Sequence, residues 1–311
     1  MELFQLRSFL RAADEGSITR AAAALYLTQP AVTQHVRALE RELGVPLFDR
    51  TGRGVALTPA GEALRRYARR SVALLAECRQ VIADLEAGET GRLVLGAGVT
   101  TSIFHLPGCL RALHEAHPGI DVVVRTGRSA HVTALALERE VDLGLVTSSV
   151  QHPDLRVLGL YEEEILLVTP HDHPLAGRTV TPREVAGAPL ILFPEGTGFR
   201  EYLARALADA GITPRVKMES DSVEAIKSFV AVGLGVSFLP EAAAAAEIAS
   251  GELARAQIEG LPPLKRRTSA LYRTDRYLNA GARAFLGIVC ERHGVVGWLG
   301  GSVGEVSRSV E

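Results

Sequence analysis

No helix breaker interrupts the chain between Ala63 and Ala87. Thr58-Pro59 supplies a cap followed by a first-turn proline, so the spacing predicts one helix of about 28 residues, roughly 40 Å long. Along it, Leu64, Ala68, Ser71, Leu75, Cys78, Ile82 and Leu85 recur at intervals of 4 and 3, which is a heptad seam. Arg65, Arg66, Arg69, Arg70 and Arg79 make the rest of the surface too polar to bury on all sides. A helix of this kind connects two bodies and is expected to pair with a second copy of itself rather than to lie alone on its own domain. It sets a short segment, residues 1–58, apart from a long one beginning at residue 92, and a single small module is excluded.

The charge is divided along the same line. Residues 1–70 hold eleven arginines and no lysine against seven acids, a net +4, which leaves −6 for the remainder of a chain whose total is −2. A basic head on an acidic body suits a nucleic-acid partner. With 47% hydrophobic and 23% charged residues, disordered and fibrous classes are excluded. No apolar run is long enough to cross a bilayer, and Met1 to Arg7 lacks the order of a signal peptide, so a cytoplasmic chain without membrane contact is expected. Cys78, Cys109 and Cys290 are odd in number and far apart, which predicts reduced thiols.

Within the head, Leu3, Leu6, Phe9, Leu10 and Ala13 follow a helical period that stops at Gly16. Ser17 can cap a second helix carrying four alanines, Ala21 to Ala24, whose small side chains permit close approach. After a turn at Tyr26-Leu27, Thr28 caps a third helix with Pro30 in its first turn, running to Gly44. On that helix Val32, Val36, Leu39 and Leu43 form one stripe, while Pro30, Gln34, Arg37 and Arg41 lie opposite, with Thr33 at the flank. Glutamine, arginine and threonine are the side chains that match base edges in the major groove, although the periodicity by itself fits an amphipathic surface helix with a solvated polar face better. Val45 to Arg50 and Gly54 to Leu57 then predict a small hairpin whose Arg50 and Arg53 reach the phosphates or the minor groove.

Gly16-Ser17-Ile18-Thr19-Arg20-Ala21-Ala22, Leu27-Thr28-Gln29-Pro30-Ala31-Val32-Thr33, Leu39-Glu40 with Leu43-Gly44, Leu47-Phe48-Asp49-Arg50 and Leu57-Thr58-Pro59-Ala60-Gly61 together resemble the winged helix-turn-helix of LysR-type transcriptional regulators. The resemblance covers about sixty residues without a gap. It implies that Gln29, Pro30, Thr33, Gln34 and Arg37 face DNA, with Arg53 on the wing. It also implies a linker helix at residues 59–87 that pairs two heads, a dimer of dimers, and double-stranded DNA with an inverted-repeat operator as partner. RNA polymerase is the further partner expected at activated promoters.

Beyond Gly88 to Gly91 the pattern alternates between short apolar runs and helical stretches, which predicts parallel strands with crossover helices in two α/β lobes. The fold class expected is therefore α+β and multi-domain: a winged helix-turn-helix, a linker helix and a two-lobed α/β effector domain that, by the same resemblance, is similar to periplasmic binding proteins. The effector domain is expected at residues 92–294, with lobe I at 92–161 and 266–294, lobe II at 162–265, crossings near Leu160-Glu163 and Pro263-Lys265, and a flexible tail at 295–311. One helix is expected from Ser102 to Ala116, and strands at Ile165 to Thr169 and Ser269 to Arg273.

Helix starts that follow strands offer free N–H groups to a ligand. Thr100-Thr101-Ser102, Gly196-Thr197-Gly198-Phe199 and Asp221-Ser222 are such places, and helix capping alone accounts for each equally well. A cleft between the lobes would gather the first two, and Thr147 ends a strand aimed at it; Arg128 stands in a loop near the strand-end hydroxyls, where it either pairs an anionic ligand or is simply solvated. The family resemblance strengthens Thr100, Ser102 and Thr147 as effector contacts. The effector expected is a small anionic metabolite of unknown identity, with no cofactor and no metal.

Enzyme motifs are incomplete. Gly96-Ala97-Gly98 is followed by Thr101 where a dinucleotide fingerprint needs glycine, and the segment around Ser237 lacks the closing glycine of a nucleophile elbow. His171 and His173 sit in a proline-flanked turn without a third ligand. A ligand-responsive transcription factor is the reading, against a metabolite-insensitive architectural DNA-binding protein or an α/β enzyme.

Overall fold

The computed structural model describes residues 1–51, 54–87 and 91–295. They form two compact units, an N-terminal one carrying the first four helices and a C-terminal one carrying most of the sheet. The sites expected for Arg53 and for the tail beyond Val295 lie outside the described residues.

In the N-terminal unit, α1 (Leu3–Glu15) ends on Gly16 in the left-handed conformation, and α2 (Ile18–Ala24) starts on a Ser17 hydroxyl that accepts from the Arg20 N–H at 3.3 Å. The turn before α3 places Tyr26 at φ 55°, and α3 (Gln29–Leu43) opens with Thr28 accepting from the Ala31 N–H at 3.4 Å and closes on Gly44 at φ 73°. These boundaries follow local chemistry: a hydroxyl satisfies an orphan N–H at one end, and a glycine takes the left-handed turn at the other.

Strands β1 (Phe48–Thr51) and β2 (Gly54–Leu57) pair antiparallel with Phe48 opposite Leu57. The wing is tied to the α1–α2 corner through the Val55 N–H, which donates to the Gly16 carbonyl at 3.0 Å. A Cβ on Gly54 would stand 2.3 Å from that carbonyl, so only glycine fits. Helix α4 (Pro59–Ala87) then starts at Thr58, whose hydroxyl donates to the Pro46 carbonyl at 2.8 Å and accepts from the Gly61 N–H at 3.0 Å.

The head core comprises Leu6, Phe9, Leu39, Leu47 and Ala68, joined by a second cluster of Ala12, Ala21, Ala22 and Val32. Leu64 and Val72 also pack there, so the start of α4 belongs to the head. The heptad seam is thus divided: its first positions are spent inside the unit, while Leu75, Cys78 and Ile82 remain exposed.

The C-terminal unit starts with β3 (Gly91–Ala97), α5 (Val99–Phe104), α6 (Leu106–Ala116), β4 (Ile120–Thr126), α7 (Ser129–Leu137) and β5 (Leu143–Val146). The single helix expected from Ser102 to Ala116 is two, because Pro107 has no N–H to continue α5 and its ring would meet the preceding turn. Strand β6 (Leu155–Pro170) follows, then β7 (Thr179–Val180), α8 (Pro182–Gly187), β8 (Pro189–Leu192), α9 (Gly198–Asp209), β9 (Arg215–Glu219) and α10 (Val223–Ala231). Next come β10 (Ser237–Pro240), α11 (Glu241–Ser250), β11 (Leu253–Ile258), β12 (Leu264–Arg273) and α12 (Ala280–His293).

The main sheet runs β4-β3-β5-β12-β6-β11-β7, with β10 also on β6, while β8 and β9 form a separate parallel pair. Strands β3, β4 and β5 are mutually parallel, and β12 is antiparallel to both β5 and β6. The short strands expected at Ile165 to Thr169 and Ser269 to Arg273 are the halves of two long ones, β6 and β12. Each long strand serves two cores. Leu160 and Ala270 are buried with α6 and α12, whereas Ile165, Leu167 and Leu264 are buried with β8 and α9. The segments near Leu160-Glu163 and Pro263-Lys265, where crossings between lobes are expected, are the middle of β6 and the start of β12, two strands that pair along one ladder. Among the described residues no helix is long and apolar enough to cross a membrane.

Candidate nucleic-acid interface and effector cleft

On α3 the burial of Val32, Val36 and Leu39 turns Gln29, Pro30, Gln34 and Arg37 outward, all of them exposed. These four, with the half-buried Thr33, line one side of a groove of about 1050 Å³ that Arg41 and the segment Gly44 to Pro46 complete. The Thr33 hydroxyl donates to the Gln29 carbonyl at 2.9 Å, which leaves its methyl and lone pair to a partner. The α3 first turn holds no acid, so its positive dipole end is unopposed.

The helix is held by contacts from behind. Ser8 Oγ and His35 Nδ1 are 2.8 Å apart between α1 and α3, Phe4 meets the His35 ring edge-on at 4.8 Å, and Glu40 accepts the Leu47 N–H at 2.9 Å at the start of the wing. Arg50 lies on β1, beside the turn.

In the C-terminal unit the candidate effector residues separate into those that converge and those that do not. Thr100, in the first turn of α5, accepts from Arg266 Nη2 at 3.1 Å. Arg266 is bound to Glu163 at 2.6 Å, and its guanidinium carbon lies 6.0 Å from the Phe199 ring centre, at the start of α9. A Cβ on Gly198 would be 3.6 Å from Ser148, next to Thr147, so the amino end of α9 meets the end of β5 from the other lobe. The Thr147 N–H donates to Ser129 Oγ at 3.2 Å, one residue beyond Arg128, which is itself exposed. Thr197 caps α9 through the Arg200 N–H at 3.3 Å, and Gly196 before it is in the left-handed region at φ 74°.

Thr101 is buried and Ser102 half-buried, and both hydroxyls are enclosed without a hydrogen-bond partner among the described residues. Ser222 is exposed and caps α10 through the Ala225 N–H at 3.3 Å. Among the described residues no hydrogen bond ties it to the others.

Three residues of this region carry no local sequence signal: Glu163, Arg266 and Arg200. Glu163 also meets His105 Nε2 at 3.2 Å. Burial pushes the Glu163 carboxyl up, but the His105 and Arg266 bonds outweigh it and hold the group below its ordinary range. Tyr161 is stacked between His105 at 4.7 Å and His293 at 4.2 Å, and burial raises its hydroxyl to about 12. The enzyme-like motifs take structural roles. Ser237 Oγ donates to the Ile191 carbonyl at 2.6 Å in the core, and His173 Nδ1 accepts the Leu175 N–H at 3.2 Å inside its own turn.

Residues 3–62 match the bacterial regulatory helix-turn-helix model of the lysR family, and residues 86–293 match the LysR substrate binding domain. A probable RuBisCO transcriptional regulator of Cyanophora paradoxa is 32% identical over 290 residues, covering 91% of this chain and 89% of that protein. Full-length CbnR in complex with its target DNA superposes with a TM-score of 0.71 at 26% identity, covering 94% of this chain and 99% of that one. A full-length OxyR variant from Pseudomonas aeruginosa gives a TM-score of 0.73 at 26% identity, with 95% of each chain covered. These relatives are named as transcriptional regulators. The polar strip of α3, the wing behind it and the two-lobed α/β body are the parts these models describe, and the chain belongs to the LysR family of DNA-binding transcriptional regulators, with an effector-binding domain following its helix-turn-helix.

Proposed function

We propose that this regulator binds an inverted-repeat operator through α3 of two heads and answers to a small anionic metabolite held between the lobes of its effector domain. The observation that carries the reading is the junction of Thr100, Arg266 and Phe199, with Gly198 against Ser148, where hydroxyls, a guanidinium and a helix amino end from both lobes meet. Gln29, Pro30, Thr33, Gln34 and Arg37 are the base-facing residues, with Arg50 and Arg53 on the wing. Residues 1–58, 59–87 and 92–294 act as DNA-binding, dimerisation and effector domains.

The exposed Leu74, Leu75 and Ile82 on α4 support self-association, as a dimer of dimers in the cytoplasm, with RNA polymerase as partner at activated promoters. Effector binding regulates only if the ligand favours one arrangement of the assembly over another. The deciding experiment titrates the purified protein against its own upstream duplex and a scrambled duplex at two salt concentrations. Several decades of preference for the native duplex, falling steeply with salt, supports the reading. Equal binding to both duplexes, insensitive to metabolites, supports an architectural protein instead.

A further inference from the structure

Arg200 is the third residue of α9, and it continues the inward stripe formed by Leu203 and Leu207, both completely buried. Only 8% of Arg200 is exposed, and its Nε and Nη1 are enclosed without a hydrogen-bond partner among the described residues. The comparably buried Arg266 and Arg273 are ion-paired with Glu163 and Asp275. A guanidinium cannot shed its proton to escape burial, and an uncompensated buried charge is strongly unfavourable. The fold therefore holds a cation whose counter-charge the described chain does not supply.

Its position indicates where that counter-charge belongs. Arg200 stands in the first turn of α9, and side chains on a helix lean toward its amino end. There Gly198 meets Ser148 of the opposite lobe, and the helix dipole adds positive potential. Glu201, the acid of that turn, is exposed. On α5, two residues beyond Thr100, Ser102 Oγ is likewise enclosed without a hydrogen-bond partner among the described residues.

We infer that Arg200 is the anion-reading residue of the effector cleft, and that the effector carries a carboxylate or phosphate group which this guanidinium grips through Nε and Nη1. The inference rests on the lobe junction being the effector site and names the chemistry recognised there. A planar donor fork paired with two acceptor oxygens is the strong form of such a contact.

The test uses the full-length protein and two probes, inorganic phosphate and succinate, at constant ionic strength with glycerol as neutral control. Thermal unfolding and calorimetric titration are followed for the wild type, Arg200→Met and Arg200→Lys. The wild type is expected to be stabilised saturably by at least one anion and not by glycerol, and the anion that acts identifies which oxygen group is read. Arg200→Met should lose about tenfold or more in apparent affinity, as removal of a charged hydrogen-bond partner does. Without anion it should unfold a few degrees higher than the wild type, because the uncompensated charge is gone.

An anion response that persists in Arg200→Met overturns the inference and leaves the cleft reading intact. A wild type indifferent to both anions overturns it too, while operator binding is judged separately by the duplex titration. If Arg200→Met fails to fold, Arg200→Lys keeps the charge but loses the fork, and an unchanged anion affinity in that variant is equally fatal.

Discussion

Glu163 on β6 and Arg266 on β12 stand directly opposite each other in the antiparallel register, between the stretches of those strands buried in one core and in the other. Their ion pair, at 2.6 Å, also reaches Thr100 through Arg266 and His105 through Glu163. One buried pair thus connects β6 and β12 to Thr100 of α5 and to His105 at its end.

Removing one partner leaves the other charge buried. Glu163→Gln should destabilise the effector unit by about 3–5 kcal/mol, measured by denaturant unfolding. A smaller loss in the double variant Glu163→Gln with Arg266→Met would establish the coupling.

The same carboxyl gives a pH signature. Its pKa is lower folded than unfolded, so the stability it contributes is present above the unfolded carboxylate range and is lost as pH falls through the folded value. Unfolding curves of the wild type should weaken below about pH 4 more steeply than those of Glu163→Gln. Parallel curves would mean that the pair is not stabilising.

On α3, Gln34→Ala and Arg37→Ala should each cost about 1–3 kcal/mol of discrimination between operator and scrambled duplex, without a change in oligomeric state. Arg41→Ala should weaken both duplexes alike. Fluorescence anisotropy at two salt concentrations separates the outcomes.

Gly61 cannot take a side chain, since a Cβ there would lie 2.1 Å from the Leu47 carbonyl. Gly61→Ala should destabilise the head by about 1–3 kcal/mol or more, with operator binding lost before the effector unit melts. A single unchanged transition in calorimetry would refute it.

The exposed part of the α4 seam predicts a further separation. Leu75→Glu with Ile82→Glu should dissociate the assembly in light scattering while the head core of Leu6, Phe9 and Leu39 stays folded. Retained mass would place the contact elsewhere.

The limits of α1 to α3 and the wing were legible in the sequence because their signals are local. Ser17 and Thr28 cap the next few N–H groups, Gly16 and Gly44 end helices at positive φ, and the 3.6-residue period sorts Val32 from Gln34 within one turn. Thr197 and Ser222 likewise mark α9 and α10. Tertiary structure alone decided that β6 and β12 run unbroken through two cores, that Leu64 and Ala68 are used by the head, and that Glu163 meets Arg266 103 residues away. It also decided that Arg200 is enclosed while the neighbouring Glu201 is not. Capping and periodicity act over a few residues of chain, but strand register and the burial of a charge depend on which distant segments the packed cores bring alongside.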